Sequence, residues 1–387
     1  MEKSNSVFSL QFWLLCLSSV LFMASFNMII PELPAYLDSI GGKEYKGLII
    51  GLFALAALIS RPFSGRLADT IGRIPVMIIG PLVCIVLGIL YPFITSIIGF
   101  LVLRFFHGFS TGFKPTGTTA YLADIVPSNK RGEAMGFLGV AGSMGMAGGP
   151  VIGSWLAQAF SMQIMFWISS LIAGLSILVL MGMKETLPST VKFKPSILLI
   201  HPKDVIEPTV WLPSIIMLLT VYAFGTILTI APDNSDFLEL GNRGIFFSIM
   251  LGASIVVRFF SGKISDRFGR ANVLIIGTLL LTISLLVLGA FQSRMGFFSG
   301  AVLFGLSAGI NSPTIFAWTA DLAKDHARGK AMSTMFIALE LGIILGSVFG
   351  AEFYDNQISQ FKNAYWAAAI LALLAFFIVT WKRNHYK

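Results

Sequence analysis

Charge is scarce in this sequence: 12% of its 387 residues are Asp, Glu, Lys or Arg, against 56% hydrophobic residues. So little polar surface does not cover a water-soluble globule of this length, which excludes a globular protein of cytosol or medium. Cysteine is nearly absent, and Cys16 and Cys84 both fall in long apolar stretches, so no loop disulfide framework is expected. The four histidines, His107, His201, His326 and His385, are scattered without metal-ligand spacing. No G-x4-G-K-[ST] phosphate loop is present and no nucleophile constellation is recognisable. The expectation is a chain without metal, cofactor, enzyme chemistry or a nucleotide-driven pump of its own.

Apolar runs, with 34 phenylalanines overall, are what the sequence has in abundance. Stretches of about 20 residues, enough to cross about 30 Å of hydrocarbon as a helix, recur through the whole chain. Twelve are expected, near 10–33, 46–67, 74–95, 97–121, 131–158, 163–183, 211–232, 243–264, 271–291, 295–320, 328–352 and 361–381. The fold class is therefore an all-α polytopic membrane protein. Its expected domains are a six-helix bundle over 1–183, a cytoplasmic linker rich in Lys, Pro and Ser over 184–210, and a second six-helix bundle over 211–387. The first stretch exceeds a signal-peptide core and lacks a small-residue cleavage site, so it is expected to be retained, with no soluble domain attached.

Charge placement sets the orientation. With the N-terminus inside, the inner segments hold 18 of the 27 basic residues, among them Lys3, Lys130, Lys203 and Lys387. The outer segments keep Lys43, Lys46, Arg243, Arg294 and Lys362, so both termini are expected in the cytoplasm. That asymmetry accounts for the net charge of +8, which faces anionic membrane lipid and is no nucleic-acid surface.

One segment occurs twice, 197 residues apart. Arg61 to Arg73, RPFSGRLADTIGR, returns as Arg258 to Arg270, RFFSGKISDRFGR, and the same offset carries Gly108 to Gly305, Asp124 to Asp321, Arg131 to Arg328 and Gly149 to Gly346. The chain is a tandem duplication of six spans.

Gly65-x-Leu67-Ala68-Asp69-x-x-Gly72-Arg73, between spans two and three, resembles the signature loop of the major facilitator superfamily, and Gly262, Asp266, Gly269 and Arg270 repeat it in the matching place. Gly65 and Gly72 are read as permitting a tight turn. Asp69 is placed to cap span eleven near Arg328, Asp266 to cap span five near Arg131, and Arg73 and Arg270 to pair with Asp124 and Asp321. The resemblance implies a latch on the inner side that forms in the outward-open state. Permanent ion pairs anchoring the loops to lipid headgroups are the competing reading.

Gly136, Gly145, Gly149-Pro150 and Gly153 in span five resemble the signature of drug-proton antiporters, with Gly153-Ser154 where two glycines are usual. Such spacing makes a groove for a neighbouring helix and Pro150 bends the span, although any tightly packed membrane helix uses small residues. The second copy has Leu345-Gly346-Ser347 without the proline, and that asymmetry favours a special role for span five and export over import.

Charged residues inside the hydrocarbon are Arg61, Arg104, Lys114, Arg258 and Glu340. Arg61 and Arg258 are repeat equivalents for which a structural duty is expected. The segment around Arg104 resembles the fourth-span motif of proton-coupled members, and the family's central cavity is lined by spans one, four, seven and ten. Arg104, His107 and Lys114 then lie along one face and would attract anionic or electron-rich groups. Lys114 has the alternative of snorkelling toward headgroups. Glu340 is either a site that binds and releases a proton in each cycle, with Arg104 and His107 as further coupling candidates, or a salt bridge to Arg61. Span one has Asn27 where many such antiporters carry a deep acid, which disfavours lipophilic cations. Tyr222 and Asn311 complete the candidate solute-binding set.

The sequence thus points to a monomeric secondary transporter of the cell's inner membrane that exports a small anionic, zwitterionic or neutral solute on a proton gradient. A proton-coupled importer or facilitator and a non-transporting sensor remain as alternatives.

Overall fold

In hydrocarbon a backbone N–H finds no water, so a spanning segment satisfies its polar groups internally as a helix. The computed structural model describes residues 8–42, 45, 48–201, 205–240, 244–354 and 360–383. Lys3, Lys43, Lys46, Lys203, Arg243, His385 and Lys387 lie outside the described residues. Among the described residues the long helices are α1 (Leu10–Met28), α2 (Leu48–Thr70), α3 (Arg73–Leu90), α4 (Ile97–Ile125), α5 (Arg131–Ala159), α6 (Met162–Met181), α7 (Trp211–Phe237), α8 (Ile245–Phe268), α9 (Arg270–Ala290), α10 (Arg294–Leu322), α11 (Arg328–Tyr354) and α12 (Phe361–Lys382). A seven-residue helix, Leu33–Ser39, follows α1 after a break that begins just before Pro31.

Eleven of these segments are long and apolar enough to cross a membrane. The exception is α4, 29 residues long, which carries Arg104, His107 and Lys114 and has most of its C-terminal half buried. Protein neighbours, rather than lipid, are its solvent. Large apolar side chains elsewhere point outward, as at Leu178, Met295 and Trp381, the inverse of a water-soluble surface.

Local chemistry fixes the helix ends. Ser9, Ser96 and Ser161 cap α1, α4 and α6, each accepting from a backbone N–H three residues on. At two places the chain turns sharply from one helix into the next through a glycine in the left-handed region, Gly72 at φ +126° and Gly269 at φ +87°. The expected ends of spans two and eight at 67 and 264 are too early, because the helices run past the apolar stretch until those glycines.

Gly65, expected to permit a tight turn, corrects the sequence reading, and its repeat-equivalent Gly262 matches it. Both are helical, and neither makes a turn. Their missing side chains serve packing: a Cβ on Gly65 would stand 2.6 Å from Ser333 Cβ, and one on Gly262 would strike the backbone of Gly132.

The described chain divides into two units. One comprises Met1–Pro127, Leu138–Glu207 and Ala323–Thr334, the other Ser128–Phe137, Pro208–Leu322 and Met335–Lys387. In the first, α1 packs on α6, α2 on α4, and α3 on both α4 and α6. In the second, α7 packs on α12, α8 on α10, and α9 on both α10 and α12. The duplication seen in sequence is therefore a duplication of packing. The 184–201 segment lies within the first unit against α2, with Val191 N donating to Thr70 O at 2.9 Å and Arg66 Nη1 to Leu199 O at 2.7 Å.

Candidate functional site

Asp69 stands at the last turn of α2. Its Oδ1 accepts from Gly329 N and its Oδ2 from Lys330 N, both at 2.7 Å, so the carboxylate sits on the first turn of α11, where the helix dipole favours an anion. Arg73, first residue of α3, donates from Nη1 to Asp69 Oδ1 at 2.5 Å and from Nε to Asp124 Oδ2 at 3.0 Å. Asp124 Oδ1 accepts from Arg328 Nη1 at 2.5 Å. Arg73 is only 1% exposed, and a guanidinium so buried is tolerable because two carboxylates face it.

The second unit repeats the arrangement at +197. Asp266 accepts from Gly132 N and Glu133 N at 2.8 Å each, capping α5. Arg270 reaches Asp266 at 2.5 Å and Asp321 at 2.9 Å, and Arg131 Nη1 donates to Asp321 Oδ1 at 3.0 Å.

The two clusters differ in one element that the sequence reading did not find. Glu185 accepts from Arg73 N and Ile74 N at 3.0 Å each and so caps α3, while Thr186 Oγ1 donates to Asp124 Oδ2 at 2.7 Å. The repeat-equivalent of Glu185 is Lys382, which has no carboxylate to offer. A Glu-Thr pair just after an apolar run was the available signal.

The span-five glycines form a ladder. A Cβ on Gly145 or Gly149 would stand 2.5 Å from the carbonyl oxygens of Val20 and Ala24, Gly153 approaches Met28 more closely still, and Gly136 lies on Arg258 O. Gly342, Gly346 and Gly350 of α11 approach Leu218, Tyr222 and Thr226 of α7 in the same manner. The ladder is thus duplicated, and the 197-residue offset applied to Gly145 and Gly153 would have revealed it. What distinguishes α5 is Pro150, yet Pro62, Pro81, Pro115, Pro232 and Pro313 also lie inside helices.

The polar residues of α4 are buried among α1, α2 and α3. Arg104 is 2% exposed, donates from Nε to Ile49 O at 3.1 Å, and holds its guanidinium 4.8 Å from the Phe53 ring centroid. His107, one turn on, has Nδ1 3.4 Å from the Tyr91 hydroxyl. Lys114 Nζ donates to Ser18 Oγ at 2.6 Å, and Ser18 in turn pairs with Ser176 Oγ at 2.9 Å. The Lys114 ammonium therefore ends on a hydroxyl of α1, not at a helix end.

The remaining candidates have other partners. Asn27 Nδ2 donates to Met23 O within its own helix, Asn311 Nδ2 to Ser307 Oγ, and Tyr222 belongs to the apolar core of the second unit. Arg61 Nη1 donates to Gly112 O and Thr116 Oγ1, and Arg258 Nε to Ser254 Oγ. Glu340 is buried in α11 at 8% exposure.

Two like-built helical units, an apolar exterior and charged clusters at equivalent helix ends define a polytopic membrane transporter. The family model of the Major Facilitator Superfamily matches residues 15–241 and again 210–387, and the chain belongs to that family. Its relatives include the multi-drug resistance efflux pump PmrA of Streptococcus pneumoniae, 26% identical over 345 residues and 85% of each chain. Another is the multidrug resistance protein MdtG of Enterobacter lignolyticus, 25% identical over 90% of this chain and 86% of the relative. Among solved structures, the human organic anion transporter MFSD10 shares the fold at TM-score 0.82 and 19% identity, over 95% of this chain and 98% of that one. The proton:xylose symporter XylE does so at 0.80 and 14%, over 96% and 94%. These are transporters and not enzymes, and the protein is one of them.

Proposed function

We propose that this transporter exports a small organic solute across the inner membrane in exchange for protons, by alternating access and with both termini in the cytoplasm. The observation that carries the reading is the efflux-pump naming of relatives matched along 85% of both chains. The proton gradient is the energy source, no cofactor takes part, and the chain works as a monomer in contact with anionic lipid. The Asp69–Arg73–Asp124–Arg328 and Asp266–Arg270–Asp321–Arg131 clusters form and break in each cycle as its inner gate.

The preference for anionic, zwitterionic or neutral solutes rests on charge. In the spanning part of the first repeat, the charged side chains that are buried among the described residues are Arg61, Arg104 and Lys114, all cations, and α1 offers Asn27 in place of an acid. Glu340 takes the proton-carrying role, a carboxylate within a span being suited to it.

The test is proton movement in liposomes carrying a pH-sensitive dye, scanned against anionic, zwitterionic, neutral and cationic solutes. Solute-dependent proton movement that Glu340→Gln abolishes and whose solute preference Lys114→Ala shifts is the expected result. Movement that survives Glu340→Gln removes that residue from coupling, and its absence in the unaltered protein removes antiport.

A further inference from the structure

Apart from Thr118 Oγ1 further along the helix, two hydrogen-bonding atoms one turn from each other on α4 are buried without a partner: Arg104 Nη1 and His107 Nε2. Both residues are nine-tenths or more buried, at 2% and 1% exposure, so neither atom is satisfied by bulk water. Leaving such groups unmade is expensive, and a native protein keeps them for a reason.

The identity of the missing partner follows from proton counting. Tyr91 is fully buried; its hydroxyl lies 3.4 Å from His107 Nδ1 and also takes a hydrogen bond from the Arg104 guanidinium, which leaves Nη1 unmatched. The direction of the Tyr91–His107 contact follows the imidazole tautomer: with the hydroxyl hydrogen given to Nδ1, the imidazole proton is on Nε2, and that is the tautomer assigned here. Arg104 Nη1 is a donor under all conditions. The pair therefore presents two donors and no acceptor, three residues apart on one helix face, and what answers two donors is an anion with two oxygens.

The walls are aromatic. Phe26 of α1 and Phe53 of α2 are stacked at 4.9 Å, each has the His107 ring 6.1 Å away, and Phe53 also lies under the Arg104 guanidinium. Both phenylalanines are partly exposed while the donors behind them are not, so the stacked rings cover the pair.

We propose that Arg104 and His107 form a two-donor subsite for the carboxylate of a flat, apolar organic anion, covered by the Phe26–Phe53 stack, whose rings pack against the ligand's body once they part. This rests on the reading of the protein as an exporter of electron-rich solutes and names the class that the α4 face takes.

Calorimetric binding of benzoate to the purified full-length protein tests it, with benzamide and benzylammonium as neutral and cationic controls of the same shape. Saturable benzoate binding, about tenfold or more tighter than either control and weakened about tenfold or more by Arg104→Gln and by His107→Phe, is expected. Equal binding of benzoate and benzamide, or benzoate binding indifferent to Arg104→Gln, overturns the subsite. Should those variants fail to fold, 15N spectra of a protein whose other three histidines are glutamine provide a second reading. A proton on Nε2 and a benzoate-dependent shift of that nitrogen are expected, and a proton on Nδ1 or an unmoved signal overturns the proposal. Benzoate bound as described with no solute-driven proton movement keeps the subsite and removes antiport instead.

Discussion

Asp69 uses one carboxylate for two tasks, accepting two backbone N–H groups at the start of α11 and balancing Arg73. Replacing it by alanine leaves two helix-end donors and a buried guanidinium short of an anion. Asp69→Ala is expected to lower stability by about 1–2 kcal/mol, the usual worth of a helix cap, with a matching drop in thermal midpoint in detergent. Asp266→Ala should lose a similar amount. The two share no partner, so the double variant should show the sum, and a clear departure from additivity would contradict separate clusters. These pairings were legible before any coordinates, because two aspartates and two arginines recur at one offset. Glu185 was not, since its contact with Arg73 N and Ile74 N depends on how the chain after α6 folds back, which no repeat encodes.

At the level of the helix, the glycine ladders separate positions that need glycine from those that merely have it. Gly149 meets the Ala24 carbonyl, whereas Gly142 and Gly148 of the same helix face open space. Gly149→Ala and Gly346→Ala are expected to destabilise by about 1–3 kcal/mol through overpacking against backbone that does not yield. Gly142→Ala and Gly148→Ala should be neutral or stabilising by up to about 1 kcal/mol from helix propensity alone. Thermal unfolding of the four variants checks this, and equal effects at all four would show that helix propensity, not contact, governs α5. The apolar period located every long helix, but it placed the ends of α2 and α8 too early. Hydropathy reports where lipid stops, while the backbone continues as helix until Gly72 or Gly269 reverses it.

For the whole molecule, the buried cysteines make topology accessible. Cys16 and Cys84 are buried and free, leaving a quiet background for labelling. Arg383→Cys, at the exposed end of α12, is expected to react with an impermeant maleimide in inside-out vesicles and not in intact cells; the reverse would place the C-terminus outside. What the chain carries was the least legible property, because the proposed subsite rests on single buried atoms without a hydrogen-bond partner, Arg104 Nη1 and His107 Nε2, and composition is blind to those. The direction of transport is the central claim. The most direct measurement loads liposomes at acid pH, places them in neutral buffer and follows uptake of a radiolabelled solute identified by its proton response. Accumulation under the inside-acid gradient, collapsed by a protonophore, is the predicted result for proton exchange. Accumulation under the opposite gradient would contradict it and make the protein a symporter.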